Sequence, residues 1–143
     1  MKKTLSLILA LVLALGCALS LVSCGGNSDV AGTYELTSFT GSFTVMGEVT
    51  TLPSDTFEYY TMVLNEDGTG VETAKSEYIT GGVEEKKNFE WEIDGDKLIV
   101  SYKEYGVTIT EEATIKDGVI TYETNQVITE GISIYMKGVF TKK

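Results

Sequence analysis

Between Phe89 and Ile93 apolar and acidic residues alternate strictly: Phe89, Glu90, Trp91, Glu92, Ile93. A period of two puts Phe89, Trp91 and Ile93 on one face of a strand and both acids on the other. After Asp94-Gly95-Asp96 the pattern resumes with Leu98, Val100 and Tyr102, as expected if a turn folds the chain back on itself. The spacing recurs. Ile93 precedes Leu98, Ile115 precedes Ile120 and Leu64 precedes Thr69 by five positions, and each interval holds Asp-Gly. From Val30 onward no stretch has a helical period, and strand formers dominate. The punctuation predicts strands over 31–39, 43–50, 57–65, 69–79, 83–93, 97–104, 107–116, 119–129 and 132–141, with 40–56 as a long connecting segment around Gly41, Gly47, Pro53 and Ser54. The expected fold is all-β: an eight- to nine-stranded antiparallel up-and-down barrel over residues 30–143, wide enough to be filled by side chains or to hold one small ligand.

Alternation assigns an inward face of Tyr34, Leu36, Tyr60, Met62, Leu64, Phe89, Trp91, Ile93, Leu98, Val100, Tyr102, Ile115, Ile120, Tyr122, Ile132, Ile134, Met136 and Phe140. This set either fills a solid core or surrounds a pocket. In the second case Tyr34, Trp91, Tyr102 and Tyr122 are the candidate lining, with hydroxyls to orient a ligand. Glu111 alternates with Ile109 and Ala113 and so falls on the inward face. It is either a polar anchor or the mark of a bulge, and the bulge is the preferred reading.

The N-terminus has another pattern. Lys2 and Lys3 precede an apolar run from Leu5 to Val22, and Ser23-Cys24-Gly25-Gly26 follows. A basic start, an apolar middle and small residues at the end make an export signal, expected as a helix over 1–23. Leu21-Val22-Ser23-Cys24 resembles the lipobox of bacterial lipoproteins. That resemblance implies cleavage before Cys24, lipid (diacylglyceryl and palmitate-type acyl chains) on its thiol, and a domain held at the membrane outside the cytoplasm, in the cell envelope. The alternative is an uncleaved membrane anchor, because the run nearly spans a bilayer. Residues 24–29 read as a lipidated flexible tether; the five after Cys24 reach on the order of 12 Å.

Gly32-Thr33-Tyr34-Glu35-Leu36 resembles the opening Gly-x-Trp strand of lipocalins, with Tyr in place of Trp. Leu64-Asn65-Glu66-Asp67-Gly68-Thr69-Gly70 and the closing Gly138-Val139-Phe140-Thr141-Lys142-Lys143 are similar to segments of lipocalin-like domains in bacterial lipoproteins. The resemblance covers roughly residues 30–143 and implies a closed, lipid-attached barrel. It brings no ligand with it.

Composition mainly excludes. The 143-residue chain carries a net charge of −10, and without the leader 9 Lys face 21 acids, or −12. It has no Arg and no His. An acidic chain without Arg is a poor partner for nucleic acid. Without His, the commonest general base and transition-metal ligand are missing. Cys17 leaves with the leader and Cys24 is taken by lipid, so packing rather than a disulfide must stabilise the domain. Glu84-Glu85 and Glu111-Glu112 are neighbours on strands and point to opposite faces, so neither pair converges on a substrate. Asp94-Gly95-Asp96 reads as a turn. No enzyme, metal site or cofactor is expected. The expected function is binding of a small apolar or amphipathic molecule; the alternative is a packed barrel docking another envelope protein.

Overall fold

The computed structural model describes residues 27–143; the leader with its expected helix, and Cys24, lie outside the described residues. A helical turn, α1 (Asn27–Val30), precedes nine strands: β1 (Gly32–Val45), β2 (Glu48–Leu52), β3 (Tyr59–Leu64), β4 (Thr69–Lys75), β5 (Glu84–Asp94), β6 (Lys97–Glu104), β7 (Val107–Lys116), β8 (Val119–Thr129) and β9 (Ile132–Lys142). The alternation in β5 and β6 becomes burial. Trp91 is 5% exposed and Leu98 fully buried, while Glu90 and Glu92 face water.

Strands β3 to β9 pair with their chain neighbours, all antiparallel. β9 then pairs with β1 from Tyr34↔Lys142 to Val45↔Ile132, and β1 pairs with β3 through Gly32–Glu35. β1 and β3–β9 thus form a closed eight-stranded barrel. β2 is a ninth strand outside the ring, paired with the far half of β1 from Gly41↔Leu52 to Val45↔Glu48.

The first hairpin differs from its sequence-based expectation. β1 runs unbroken to Val45, and the turn lies at Met46-Gly47, inside the segment expected to be a strand over 43–50. Both residues have positive φ, 49° and 87°, which makes a two-residue hairpin turn. The expected long loop over 40–56 is therefore mostly strand. Gly41 does not break β1. It is a close-approach site, where a Cβ would lie 2.8 Å from Phe39 Cζ and 2.9 Å from Leu52 Cδ1. A bulge at Thr37, between Leu36 and Ser38, resets the alternation, so Tyr34 and Leu36 point inward and then Phe39 does. β4 ends at Lys75 rather than 79, because Ser76 turns inward and donates its hydroxyl to the Thr56 carbonyl.

The two ends of the barrel differ. At one end lie the β3–β4, β5–β6 and β7–β8 turns, all with Asp-Gly. There Tyr34, Met62, Leu64, Phe89, Trp91, Leu98, Val100, Ile115, Ile120 and Phe140 form one buried cluster. α1 caps this end: Val30 and Ala31 pack on the cluster, the Tyr34 hydroxyl donates to the Val30 carbonyl (2.6 Å), and Lys142 Nζ donates to the Asp29 carbonyl (2.8 Å). Residues 27–29, expected as the end of a flexible spacer, are thereby fixed to the barrel. The Trp91 indole N–H donates to the Thr69 (2.8 Å) and Asn65 (3.1 Å) carbonyls.

At the other end the wall comes apart. β6 and β7 pair along their length, from Lys97↔Thr114 to Glu104↔Val107. β5 pairs with β6 only over Glu90–Asp94, and β7 with β8 only over Thr114–Lys116. The far half of the β6–β7 hairpin therefore stands free of both neighbouring backbones, leaving the barrel with an open mouth.

Candidate binding cavity

Above the buried cluster the inward alternation continues with different chemistry. β3 contributes Tyr60, β4 Glu72 and Ala74, β5 Glu85 and Lys87, β6 Tyr102, β7 Glu111, β8 Tyr122 and β9 Met136. With Leu36, Phe39, Phe57 and Phe140 they line a cavity of about 540 Å³, within the size range of small-molecule sites.

One wall is apolar. Phe57, carried by the link from β2 to β3, packs edge-on against Phe39 (centroids 5.0 Å) and tilted against Tyr60 (5.1 Å), and Tyr60 meets Phe140 edge-on (4.9 Å). Edge-to-face pairs fix ring positions as well as burying area. The link is anchored at Thr56, fully buried, whose hydroxyl donates to the Pro53 carbonyl (2.6 Å).

The facing wall is polar. The Tyr102 hydroxyl donates to Glu111 Oε1 at 3.0 Å. The Lys87 ammonium lies 4.0 Å from the centroid of the Tyr102 ring, in cation–π position. The Tyr60 hydroxyl faces Glu72 as a hydrogen-bond donor. Burial pushes the Glu72 carboxyl above its ordinary range, against the opposing pull of Tyr60 and Lys87, and the Glu111 charge adds to the rise. Burial likewise raises Tyr60, Tyr102 and Tyr122; Glu72 adds to the first, and Glu111 to the second and third. All three hydroxyls therefore remain protonated donors at neutral pH.

Glu111 corrects one expectation. The β6–β7 register is unbroken, with Glu111 opposite Val100, so no bulge is present there. Glu111 faces the interior, where the Tyr102 hydroxyl compensates its carboxylate.

The four candidate ligand-lining residues do not come together. Tyr102 and Tyr122 line the cavity. Tyr34 and Trp91 lie below it in the packed cluster, 1% and 5% exposed, with their polar atoms turned to backbone carbonyls at the capped end. Sequence reasoning missed Glu72, Lys87, Phe39 and Phe57. Lys87 was within reach, since the Phe89/Trp91/Ile93 alternation carried back two positions gives it. Glu72 stands between Gly70 and Ala74, which carry no large apolar side chain to mark the face.

The mouth has an apolar rim. Ten large apolar side chains are exposed among the described residues, and all lie on the four connections at this end or on the strand ends beside them: Val45, Met46 and Val49; Tyr78, Ile79 and Val83; Tyr105 and Val107; Val127 and Ile128. A second cleft, about 560 Å³, follows the slot where β5 and β6 separate, lined by polar groups such as Asn88, Glu90, Ser101 and Lys103 that form no convergent set. Among the described residues no group of three or more Asp, Glu, His or Cys is placed to hold a metal ion.

Comparison with protein-family models, curated proteins and solved structures found no match to this chain.

Proposed function

We propose that the chain is a lipid-anchored, extracytoplasmic, lipocalin-like protein that binds a small amphipathic molecule in the open half of its barrel. The observation carrying this reading is the cavity itself, with aromatic rings on one wall, Glu and Tyr on the other, and a solid core beneath. A barrel filled only for stability would not leave its upper half hollow and place carboxylates there.

The tether fits the same picture. Cys24 stands three residues before Asn27, and α1 closes the packed end. Lipid on Cys24 would hold that end against the bilayer and turn the mouth away from it. A strand of 14 residues such as β1 spans about 46 Å along its own axis, less once tilted. The ligand would then arrive from the aqueous side.

Native mass spectrometry of the protein gently extracted from membranes tests both parts. The expected result is a mass beginning at a diacylated Cys24, with a co-purified small molecule released on denaturation. An unmodified chain starting at Met1 would overturn cleavage and lipidation at Cys24, and repeated absence of any bound molecule would count against the binding reading.

A second reading has its own support in the apolar rim, which suits a docking face for another envelope protein. Photocrosslinking from Tyr105 in intact membranes would favour it by trapping one defined partner.

A further inference from the structure

We propose that the cavity selects an amphipathic organic cation, an amine attached to an aromatic or alkyl body, over neutral and anionic amphiphiles of the same shape. This rests on the binding reading above and names the chemistry of the ligand.

Carboxylates outnumber ammonium groups around the cavity, four Glu to three Lys, and the excess is larger on the inner face. By register, Glu72, Glu85, Glu104 and Glu111 are on the inner face of the open half, and among the described residues Lys87 is the one Lys on that face. Lys86 and Lys103 reach the cavity edge from strand positions that point outward. The deepest two carboxylates, Glu72 and Glu111, lie close enough to feel each other's charge. Glu72 is engaged by the Tyr60 hydroxyl and Glu111 by those of Tyr102 and Tyr122. A carboxylate has about four acceptor positions, so both retain capacity for an ammonium donor.

Lys87 shows that this chemistry works here. Its ammonium rests on the face of Tyr102 and interacts with Glu72 from the opposed strand. The cavity thus already seats a cation from its own wall. Lys87 is exposed, and its stem stands beside the slot between β5 and β6. It can swing outward and yield the place to a ligand's ammonium. The ligand's apolar body would then lie along Phe39, Phe57, Met136 and Phe140 on the facing wall. With only two carboxylates converging, the arrangement suits a monovalent organic cation rather than a divalent metal ion.

The test is titration calorimetry of the lipoprotein in nanodiscs, with empty nanodiscs subtracted, using phenylpropylamine, phenylpropanol and phenylpropionate. The amine is expected to bind at least about tenfold tighter than either analogue. Glu111→Gln should remove most of that preference, with a cooperative thermal unfolding transition showing that the variant is folded. Lys87→Met, which keeps the apolar stem, should tighten amine binding. Equal affinity for all three probes, or preference for the carboxylate, would overturn the cation assignment and leave the binding reading standing. Failure of all three to bind would overturn both. Weaker amine binding by Lys87→Met would show that Lys87 is not the ligand cation's stand-in.

Discussion

The same turn is built at both ends of the barrel from different residues. At the packed end Asp117-Gly118 has φ values of 52° and 75°; at the mouth Tyr105-Gly106 has 50° and 80°, and Met46-Gly47 has 49° and 87°. Asp tolerates the left-handed region, whereas Tyr and Met are strained there. Tyr105 is 98% exposed, so no burial offsets that cost. Turns are tied to their neighbours at both ends, by Trp91 N–H donating to the Gly68 carbonyl (2.7 Å) and Lys142 N–H to the Gly118 carbonyl (2.8 Å) at the packed end and by Met46 N–H donating to the Gly131 carbonyl (2.7 Å) at the mouth, so the difference lies in turn strain and in burial. The comparison teaches that stability is concentrated in one half of a single sheet. The other half is free to hold carboxylates, strained turns and exposed apolar side chains, and local rules tend to fail where function lies.

The contrast can be broken most strongly from below. Trp91→Ala removes the largest ring of the buried cluster and is expected to cost about 3–5 kcal/mol in chemical denaturation, whereas Val107→Ala at the mouth should stay within about 0.5 kcal/mol. Gly70→Ala comes next. A Cβ there would lie 2.2 Å from the Phe89 ring and 2.7 Å from the Val63 carbonyl oxygen, so overpacking of about 1–3 kcal/mol is expected in the same assay. Replacing the strained turn residues runs the other way: Tyr105→Asn and Met46→Asn should each stabilise by about 0.5–1 kcal/mol, with no matching gain available at Asp117.

The smallest effect is at Glu72, and its sign follows from burial. The folded chain holds the Glu72 proton more tightly than the unfolded chain does, so its contribution to stability is present at low pH. That contribution is lost as pH rises from the ordinary carboxyl value through the raised folded value. Burial sets the rise, Tyr60 from β3 and Lys87 from β5 oppose it, Glu111 from β7 adds to it, and the Tyr122 hydroxyl from β8 also faces this region. Glu72→Gln should therefore melt higher than the native chain at neutral pH, and the two melting curves should converge in acid. A constant difference across pH would show that Glu72 does not titrate as placed.

The packed half was the legible half. Phe89, Trp91, Ile93, Leu98 and Val100 declare their face by alternation, and Asp-Gly declares the turns, because burial and turn geometry each demand particular residue types. At the mouth those demands relax. Met46-Gly47 carries no turn signal in its first residue, the Thr37 bulge leaves no trace in composition, the inward Glu72 imitates a solvent-facing position, and Glu111, inward by alternation, imitates a bulge. For the cavity, alternation supplied Tyr102 and Tyr122 but could not tell depth along the barrel, so it ranked Tyr34 and Trp91 with them. Phe57 lies in a link whose path no periodicity describes. Lipid on Cys24 remains the sequence's own expectation, three residues before the described chain begins.

The division of one barrel into a packed half and an open half is tested most directly by residue-resolved amide hydrogen exchange along β5. Phe89 through Ile93 should exchange only by global unfolding, while Glu84 through Lys87 on the same strand should exchange through small local openings, orders of magnitude faster. Uniform protection from Glu84 to Ile93 would contradict the account.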